Sequence, residues 1–541
     1  MTISILARAG GAVRRWGREI GAAVPRPHAP WWIAAGWFLA VSATILYVWG
    51  LNSRVLASPD EALNRFAAGV LAKHWKPFLE LPFRDPEDLA HPRHWVSVDG
   101  HALPSYAPVA IYFYGFLLRL RLLGLLLVNA LPGAAVAAFV LGIAKLLPDP
   151  RKWLSGFAPL LAFPALYWLM RPWMNLSALL ICVCWSFYFW ASWRVHGNSR
   201  DLTIAIFGLG AAAAVRPDYA AYLLLITLLF AVAASPSQWR RVTILVFAAG
   251  ASAVALNLFL NWQVTGRPLL AAYQIVAARD EGTGEPGGLL GLLRQLLVPM
   301  GIPKPSVALR FLLKYWVEMG PVAGLLLGQL ALVPLLAKQP RVSRIFYGLG
   351  LAVMLCFVLS HMDEDLAGAA DPFGLVHHSM PRYWSPVYLL AAVPPLLFLG
   401  QCQTRKLYVA GVVLASALTL GNAYEIGKRE GSSLFKLDQF AQRWGRIVPS
   451  LSDTIPSTAM VYSATHDKVL WPYWRVGTMA EPVPTARSMR RAIDAKIEVF
   501  IFEPRFPRTQ SLPLQRALRA RSLSIALIDR RGIYRVTRVR L

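Results

Sequence analysis

The 541-residue sequence is short of charged residues, and that shortage excludes several classes of protein. Only 16% of its residues are charged, whereas an ordinary soluble domain has about 25%. Hydrophobic residues make up 56% of the chain, and the mean hydropathy is +0.45. This composition excludes a disordered chain and a soluble nucleic-acid-binding module, and it predicts an integral membrane protein.

Cysteine is also scarce, with four residues in the whole chain. Cys182, Cys184, Cys356 and Cys402 all lie in or beside apolar stretches. A disulfide framework and a zinc knuckle are therefore both excluded. We interpret the Cys182-x-Cys184 pair as packing against lipid or a neighbouring helix.

Acidic residues are outnumbered by basic ones, 29 to 55, which gives a formal net charge of +26. The basic residues are spread through loops between long apolar runs. Membrane topology explains that distribution better than a polyanionic partner does, so we expect no nucleic-acid partner.

Long apolar runs are what the sequence has in abundance, and a helix of about 20 such residues spans a bilayer core of about 30 Å. The predicted fold class is an α-helical polytopic membrane protein with about 11 transmembrane helices. The predicted spans are 31–52, 122–146, 154–171, 176–193, 202–216, 219–234, 242–261, 319–337, 344–361, 384–400 and 407–424.

Loop charges predict the orientation of these spans. Several arginines precede the first run, which is too long for a signal peptide and should remain as an anchor. Residues 1–30 are then a basic cytoplasmic N-terminus, and 31–425 form the transmembrane domain with a first outer loop at 53–121. Alternation places Arg151, Arg241 and Lys406 inside and most acidic residues outside, as the positive-inside rule requires. We expect a multi-pass protein of the cytoplasmic (inner) membrane with its C-terminus outside.

Two further segments lie on the outer side in this scheme. The aromatic-rich run Pro104 to Leu118 is short, and we interpret it as an interfacial helix, since another crossing would reverse the charge pattern downstream. Residues 430–541 are predicted to be a small extracytoplasmic α/β domain. Its predicted strands are 459–463, 497–502, 524–528 and 533–536.

The acidic pair Asp60-Glu61 follows the first span, in the segment Ser58-Pro59-Asp60-Glu61. This is a capping-box pattern, in which Glu61 closes the start of a helix. The alternative is functional: a helix start keeps Asp60 ionised near the outer leaflet, where its carboxylate can accept a proton from an acceptor hydroxyl.

Further motifs follow this pair in a characteristic order. They are His91-Pro92-Arg93, Gly100-x-x-Leu103-Pro104-Ser105-Tyr106-x-Pro108, Arg216-Pro217, Asn261-Trp262-Gln263-Val264-Thr265-Gly266-Arg267-Pro268-Leu269 with Tyr273, and Arg382-Tyr383-x-x-Pro386. Over residues 31 to 425 the sequence resembles the GT-C superfamily of polyprenyl-phosphate-dependent membrane glycosyltransferases. The branch it is most similar to contains lipid A aminoarabinose transferases and protein O-mannosyltransferases.

The resemblance implies an enzyme, an inverting hexosyl- or pentosyltransferase of cell-envelope glycan biosynthesis. Its partners would be a polyprenyl-phosphate-linked sugar donor, a lipid, glycan or protein acceptor, and membrane lipids. It also implies Asp60 as catalytic base, with Glu61 as its neighbour. Some members of the family need a divalent ion, so Mg²⁺ or Mn²⁺ is an open alternative. Asp363-x-Asp365 could bind such a cation, but a solvated acidic loop is the simpler interpretation.

The phosphate of such a donor requires cations on the outer side. The candidate substrate-binding residues are Arg382, Arg216, His377, His378, Lys304, Tyr383 and Arg267. Arg382 stands first, because it directly precedes a span and has two histidines and a tyrosine as neighbours. The alternative is that Arg382 is an interfacial anchor. In the outer loops, sugar rings could stack on the side chains of Trp75, Trp95, Trp173 and Trp262.

Three other functions compete with a glycosyltransferase. A transporter or flippase would also be polytopic and basic, but the sequence lacks a visible inverted repeat and most charges lie at span ends. A lipid-linked glycan polymerase or ligase would need its arginines in late loops and would give Asp60 no role. A scaffolding protein is the third alternative.

Overall fold

The structure is a computed structural model. It describes residues 29–50, 59–76, 78–92, 95–98, 100–104, 108–269, 305–312, 340–360, 383–428, 434–464, 466–471, 473–479, 481–504 and 508–539.

Helices dominate the described residues. They are α1 (Ala29–Trp49), α2 (Pro59–His74), α3 (Pro108–Arg119), α4 (Leu122–Leu146), α5 (Ala158–Leu161), α6 (Phe163–Leu169), α7 (Asn175–His196), α8 (Ser199–Val215), α9 (Pro217–Ala234), α10 (Trp239–Thr265), α11 (Pro305–Leu312), α12 (Arg341–Ser360), α13 (Ser385–Ala391), α14 (Val393–Gln401), α15 (Arg405–Lys428), α16 (Leu434–Ser450), α17 (Asp467–Leu470), α18 (Pro482–Asp494) and α19 (Arg508–Arg519). The strands are β1 (Leu79–Glu80), β2 (Trp95–Val98), β3 (His101–Pro104), β4 (Met460–Ser463), β5 (Arg475–Thr478), β6 (Val499–Phe502), β7 (Leu523–Asp529) and β8 (Ile533–Arg538).

Within the described ranges, seven helices are long and apolar enough to cross a membrane: α1, α4, α7, α9, α10, α12 and α15. Each coincides with a predicted span, so the polytopic α-helical fold class is confirmed. Two of the seven, α7 and α10, end at Gly197 and Gly266, whose φ angles of 69° and 72° suit glycine. The predicted span 319–337 lies outside the described residues.

The remaining predicted spans are shorter or interrupted helices. The span 154–171 begins in a 3-10 helix, Asp149–Phe157, and continues as α5 and α6. The span 384–400 is divided between α13 and α14. Prolines at 159, 164 and 394 lie in the first turns of α5, α6 and α14, where a missing N–H is tolerated. The span 202–216 is α8, with 17 residues.

Contacts between helix termini define two ends of the bundle. We call the first the Glu61 end, where Glu61 of α2 bonds Arg171 beyond α6 and the Trp49 indole donates to the Met170 carbonyl. Because α7 leaves this end and α8 returns antiparallel, Arg216 after α8 lies here too. The Tyr219 hydroxyl, which donates to the Tyr383 carbonyl, adds the start of α13.

The second is the Arg151 end. Arg151 donates to the carbonyls of Leu399 and Cys402 around the end of α14, at 2.9 and 2.6 Å. Arg194 in the last turn of α7 donates to the carbonyl of Ala234 at the end of α9. The residues gathered here come from the loops expected inside, and those at the Glu61 end come from loops expected outside.

The first outer loop folds into two helices and a small antiparallel sheet. The sheet has the order β1-β3-β2, and α2 packs along α3. With 12 residues, α3 is about 18 Å long at 1.5 Å per residue, too short to cross a bilayer core. A helix is thus present where the sequence predicted one at Pro104 to Leu118, with its start four residues later; its interfacial position stays a prediction.

The C-terminal region contains a five-stranded sheet with the order β5-β4-β6-β8-β7. Strand β4 runs parallel to β5 and β6, whereas β8 is antiparallel to β6 and β7. The four predicted strands are confirmed. The fifth, β5, was missed because Val476 is the one large apolar residue in its four-residue sequence.

The C-terminal domain and the first outer loop share one hydrophobic core. Leu63 and Leu71 of α2 lie in the same buried cluster as Trp444 of α16 and Trp471. The Thr478 N–H on strand β5 also donates to a carbonyl of the loop, that of Leu89. The domain therefore lies at the Glu61 end, next to the helix that carries the acidic pair.

Candidate functional site

Helix α2 starts with the acidic pair identified in the sequence. It begins at Pro59, whose fixed φ suits the first helical position. Asp60 is the second residue of the helix, at the end where the helix dipole places partial positive charge.

Glu61 forms a buried ion pair with Arg171. The two carboxylate oxygens accept hydrogen bonds from Nε and Nη2 of Arg171 at 2.8 and 2.7 Å. Glu61 is 1% exposed, and the Arg171 side chain is 5% exposed. The guanidinium also lies 4.8 Å from the Trp168 ring centroid. A charge so deeply buried needs a partner of this kind, so the pair fixes the start of α2 against the loop between α6 and α7.

Sequence reasoning missed Arg171. The available signal was its position: a lone arginine at the end of an apolar run, on the side where the positive-inside rule disfavours arginine. The predicted spans 154–171 and 176–193 leave 172–175 as a short outer loop and place Arg171 at the end of a span, without indicating a partner for it.

The same loop is held by two neutral hydrogen bonds. The buried Asn64 amide donates to the Trp173 carbonyl at 2.9 Å, and the Tyr114 hydroxyl donates to the Met174 carbonyl at 3.0 Å. The Arg65 guanidinium lies 4.8 Å from the centre of the Trp173 ring. Helices α2 and α3 thus both hold this loop, which rigidly supports the acidic start of α2.

The four tryptophans considered for sugar stacking divide into two groups. Trp95 and Trp173 are each 3% exposed and belong to the hydrophobic cores. Trp75 and Trp262 are 63% and 53% exposed. The Arg119 guanidinium covers one face of Trp75 at 3.4 Å.

A second charged cluster, the Arg216 cluster, joins two predicted substrate-binding residues, Arg216 and Tyr383. Arg216 Nε donates to one carboxylate oxygen of Asp218 at 2.9 Å, and Arg216 Nη2 donates to the other oxygen. The guanidinium lies 4.8 and 5.6 Å from the ring centroids of Tyr219 and Tyr383. One edge of this cation is therefore already engaged by a carboxylate within the chain, and two tyrosine rings lie near its centre.

Helix α3 contacts the surroundings of both clusters. Its Tyr114 ring is 5.4 Å from Trp173, beside the Glu61–Arg171 pair. Its Val109 packs against the small buried cluster that contains Ala213 and Ala214, just before Arg216. Five residues of helix correspond to about 7.5 Å, so the two clusters flank the same short helix at the Glu61 end.

The structure gives few contacts for the other predicted substrate-binding residues. Arg267 is exposed just beyond α10, and its carbonyl accepts a hydrogen bond from Thr265. Lys304, His377, His378 and Arg382 lie outside the described residues, as do Asp363 and Asp365. The side chain of Asp60 is likewise not described.

Asp85, Asp88 and His91 in the first outer loop are close enough to be considered as metal ligands. The atoms that would ligate a metal, however, already form hydrogen bonds within the protein. Asp85 Oδ2 accepts from the backbone N–H groups of Leu89 and Ala90 at 2.6 and 2.5 Å, and His91 Nε2 lies 2.7 Å from Asp88 Oδ1. We interpret this group as the scaffold of the loop and assign no metal to it.

Comparison with known proteins gives a similar solved structure, the crystal structure of ArnT from Cupriavidus metallidurans bound to undecaprenyl phosphate. The similarity has a TM-score of 0.49 and 14% sequence identity, and it covers 93% of this chain and 98% of that one. No family model and no curated protein matches the chain. At this level the likeness carries no argument about reaction or substrate, so function rests on the residues of the site.

Proposed function

We propose that the chain is an inverting membrane glycosyltransferase that moves a sugar from a polyprenyl-phosphate donor to a lipid, glycan or protein acceptor at its Glu61 end. The observation that carries the proposal is the buried Glu61–Arg171 pair. A pair with so little exposure gives the start of α2 a fixed position, and the neighbouring residue is Asp60. The order of motifs in the sequence supports the same activity.

In this proposal Asp60 is the catalytic base. Its carboxylate accepts the proton of an acceptor hydroxyl while the hydroxyl oxygen attacks the anomeric carbon of the sugar. The bond from that carbon to the phosphate oxygen breaks, and the polyprenyl phosphate leaves with the bonding electrons. One displacement of this kind inverts the configuration of the anomeric carbon.

Glu61 has a different role in the proposal. Both of its oxygens are engaged by Arg171, so it positions the helix start and does not exchange protons with substrate. The family resemblance named Glu61 together with Asp60; the ion pair supports a division of labour between them.

The leaving phosphate needs cations that bind it more strongly as the glycosidic bond breaks. Arg382 remains the first candidate, because in the sequence it immediately precedes Tyr383, a member of the Arg216 cluster. Arg216 is the weaker candidate, since Asp218 already neutralises it. Lys304, His377, His378 and Arg267 are proposed as further contacts with the donor, and a role for Mg²⁺ or Mn²⁺ is left to metal-removal experiments.

The decisive experiment compares cells that have and lack the chain, and cells that carry Asp60→Asn at the wild-type protein level. Loss of the chain should leave a lipid-linked sugar accumulated and one glycan missing, and Asp60→Asn should reproduce both effects. Loss of a general base typically lowers the rate by about 10²–10⁴-fold. Glu80→Gln is the matched control, because Glu80 is an exposed acid of the same loop.

Two results would contradict the proposal. If Asp60→Asn restored the glycan as well as Glu80→Gln does, Asp60 would not be the base. If the sugar donor were present on one side of the membrane and depleted on the other in cells without the chain, a flippase would be the better assignment.

A further inference from the structure

A cavity of about 420 Å³ lies inside the helical bundle, away from the Glu61–Arg171 pair. Helices α7, α8, α9, α12, α13 and α14 all contribute to its wall. Most of the lining is apolar, and Phe187, Leu209 and Met354 are typical of it. Its volume is that of a site for a small molecule or one lipid chain, about 300–1,000 Å³.

The position of the lining residues shows how the cavity runs. Arg194 and Gln401 belong to the last turns of α7 and α14, so they lie at the Arg151 end. Pro386 is near the opposite limit, one turn beyond Tyr383. The cavity therefore extends along the helices from the Arg151 end to about one turn from Tyr383.

The charge at the Arg151 end of the cavity is positive. Arg194 is exposed and donates to a backbone carbonyl, that of Ala234 at 2.6 Å. Among the described residues it has no acidic partner. Arg216, near the other end, is neutralised by Asp218. An anionic group would therefore be attracted to the Arg194 end.

The wall also contains a buried hydroxyl with no partner in the described part of the chain. Ser186 is 2% exposed, and its Oγ has no hydrogen bond. A Cβ at Gly208 on the facing helix would lie 2.3 Å from this oxygen. The Ser186 hydroxyl therefore fits beside the cavity only because residue 208 has no Cβ.

We propose that this cavity binds one acyl chain of an anionic membrane phospholipid, with the lipid phosphate at Arg194. The apolar wall accepts the chain, and the guanidinium pairs with the phosphate by charge-assisted hydrogen bonds. The site is distinct from the proposed glycosyltransfer site, because its charged mouth is at the opposite end of the bundle. The proposal does not depend on the identity of the reaction.

The experiment uses the full chain, purified in detergent and stripped of lipid. Phosphatidylglycerol or phosphatidylcholine with identical acyl chains is added, and bound lipid is counted by native mass spectrometry. A basic side chain near a membrane surface contributes about 1 kcal/mol to anionic-lipid binding, which is about fivefold in affinity. We expect phosphatidylglycerol to bind about fivefold more tightly than phosphatidylcholine, and Arg194→Gln to remove that preference.

Two further variants separate the head-group site from the cavity. Arg240→Gln removes an equal charge at the same end, but Arg240 does not line the cavity, so the preference should be kept. Thr227→Trp fills the cavity, since Thr227 lines it and hydrogen-bonds within its own helix. This variant should lose both lipids.

Three outcomes would overturn the proposal. Equal losses from Arg194→Gln and Arg240→Gln would show unspecific attraction to a basic surface. Full lipid binding by a folded Thr227→Trp variant would place the lipid outside the cavity. Competitive displacement of phosphatidylglycerol by polyprenyl phosphate would assign the cavity to the tail of the donor instead.

Discussion

Arg171 and Glu61 are two opposite charges at a place that water hardly reaches. Removing one partner of a buried pair leaves the other uncompensated, which costs about 3–5 kcal/mol, whereas replacing both can be nearly neutral. We therefore expect Arg171→Met and Glu61→Gln each to lower the thermal unfolding temperature in detergent. The decrease in unfolding temperature of the double variant should be smaller than the sum of the decreases of the two single variants.

Arg119→Met is a suitable control for this cycle. Arg119 lies at the end of α3 over the exposed ring of Trp75, so its loss should change the unfolding temperature little. Strictly additive losses for Arg171→Met and Glu61→Gln would mean that the two side chains do not stabilise the fold as a pair.

In the proposed function, Arg382 binds the phosphate of the sugar donor. A lysine keeps the charge but cannot form the two parallel hydrogen bonds that arginine gives to a phosphate. Arg382→Lys should therefore reduce donor turnover, and Arg382→Ala should reduce it further. Donor-lipid binding and turnover are measured beside Arg121→Ala, an arginine with no proposed phosphate role. If Arg382→Ala matched this control, Lys304 would become the next candidate.

At the scale of elements, the close approach of α2 and α3 decides where the acidic pair lies. A Cβ on Gly115 of α3 would be 2.5 Å from a methyl carbon of Leu71 and 3.2 Å from its Cβ. Gly115→Val should therefore push the two helices apart, lower the unfolding temperature and reduce turnover, because the start of α2 would shift.

Gly36→Val is the matched control for this element. Gly36 lies in α1, and a Cβ there meets no atom within 4 Å. The variant should keep both stability and turnover. Wild-type turnover in Gly115→Val would mean that the α2–α3 contact does not position the site.

At the scale of the whole molecule, the two ends of the bundle should lie on opposite sides of the membrane. The proposal needs Asp60, Arg216 and Arg382 on one side of the membrane. Reporter fusions after Lys152, Arg241 and Lys406 should therefore report the cytoplasm, and fusions after Asp99, Asp280 and Gly374 the opposite side. If the fusions after Asp99 and Lys152 reported the same side, α3 would span the bilayer as well as α4, and Asp60 would be separated from the two arginines.

The sequence by itself predicted most of the helical architecture, because hydropathy and loop charge are properties of short segments. A run of apolar residues must be helical in a bilayer, and no distant residue is needed to find it. Seven predicted spans and four predicted strands were recovered for this reason. The acidic pair was found in the same way, since Ser58-Pro59-Asp60-Glu61 is a local helix-start pattern.

Only the tertiary structure decided which side chains meet. Arg171 lies 110 residues from Glu61 in the chain, and no local pattern links them. Burial reassigned Trp95 and Trp173 from sugar stacking to core packing, because exposure depends on distant neighbours. The shared core between α2 and the C-terminal domain has the same origin. Pairing and burial are properties of packed surfaces, and a linear pattern determines which residues face a core but not which partner fills it.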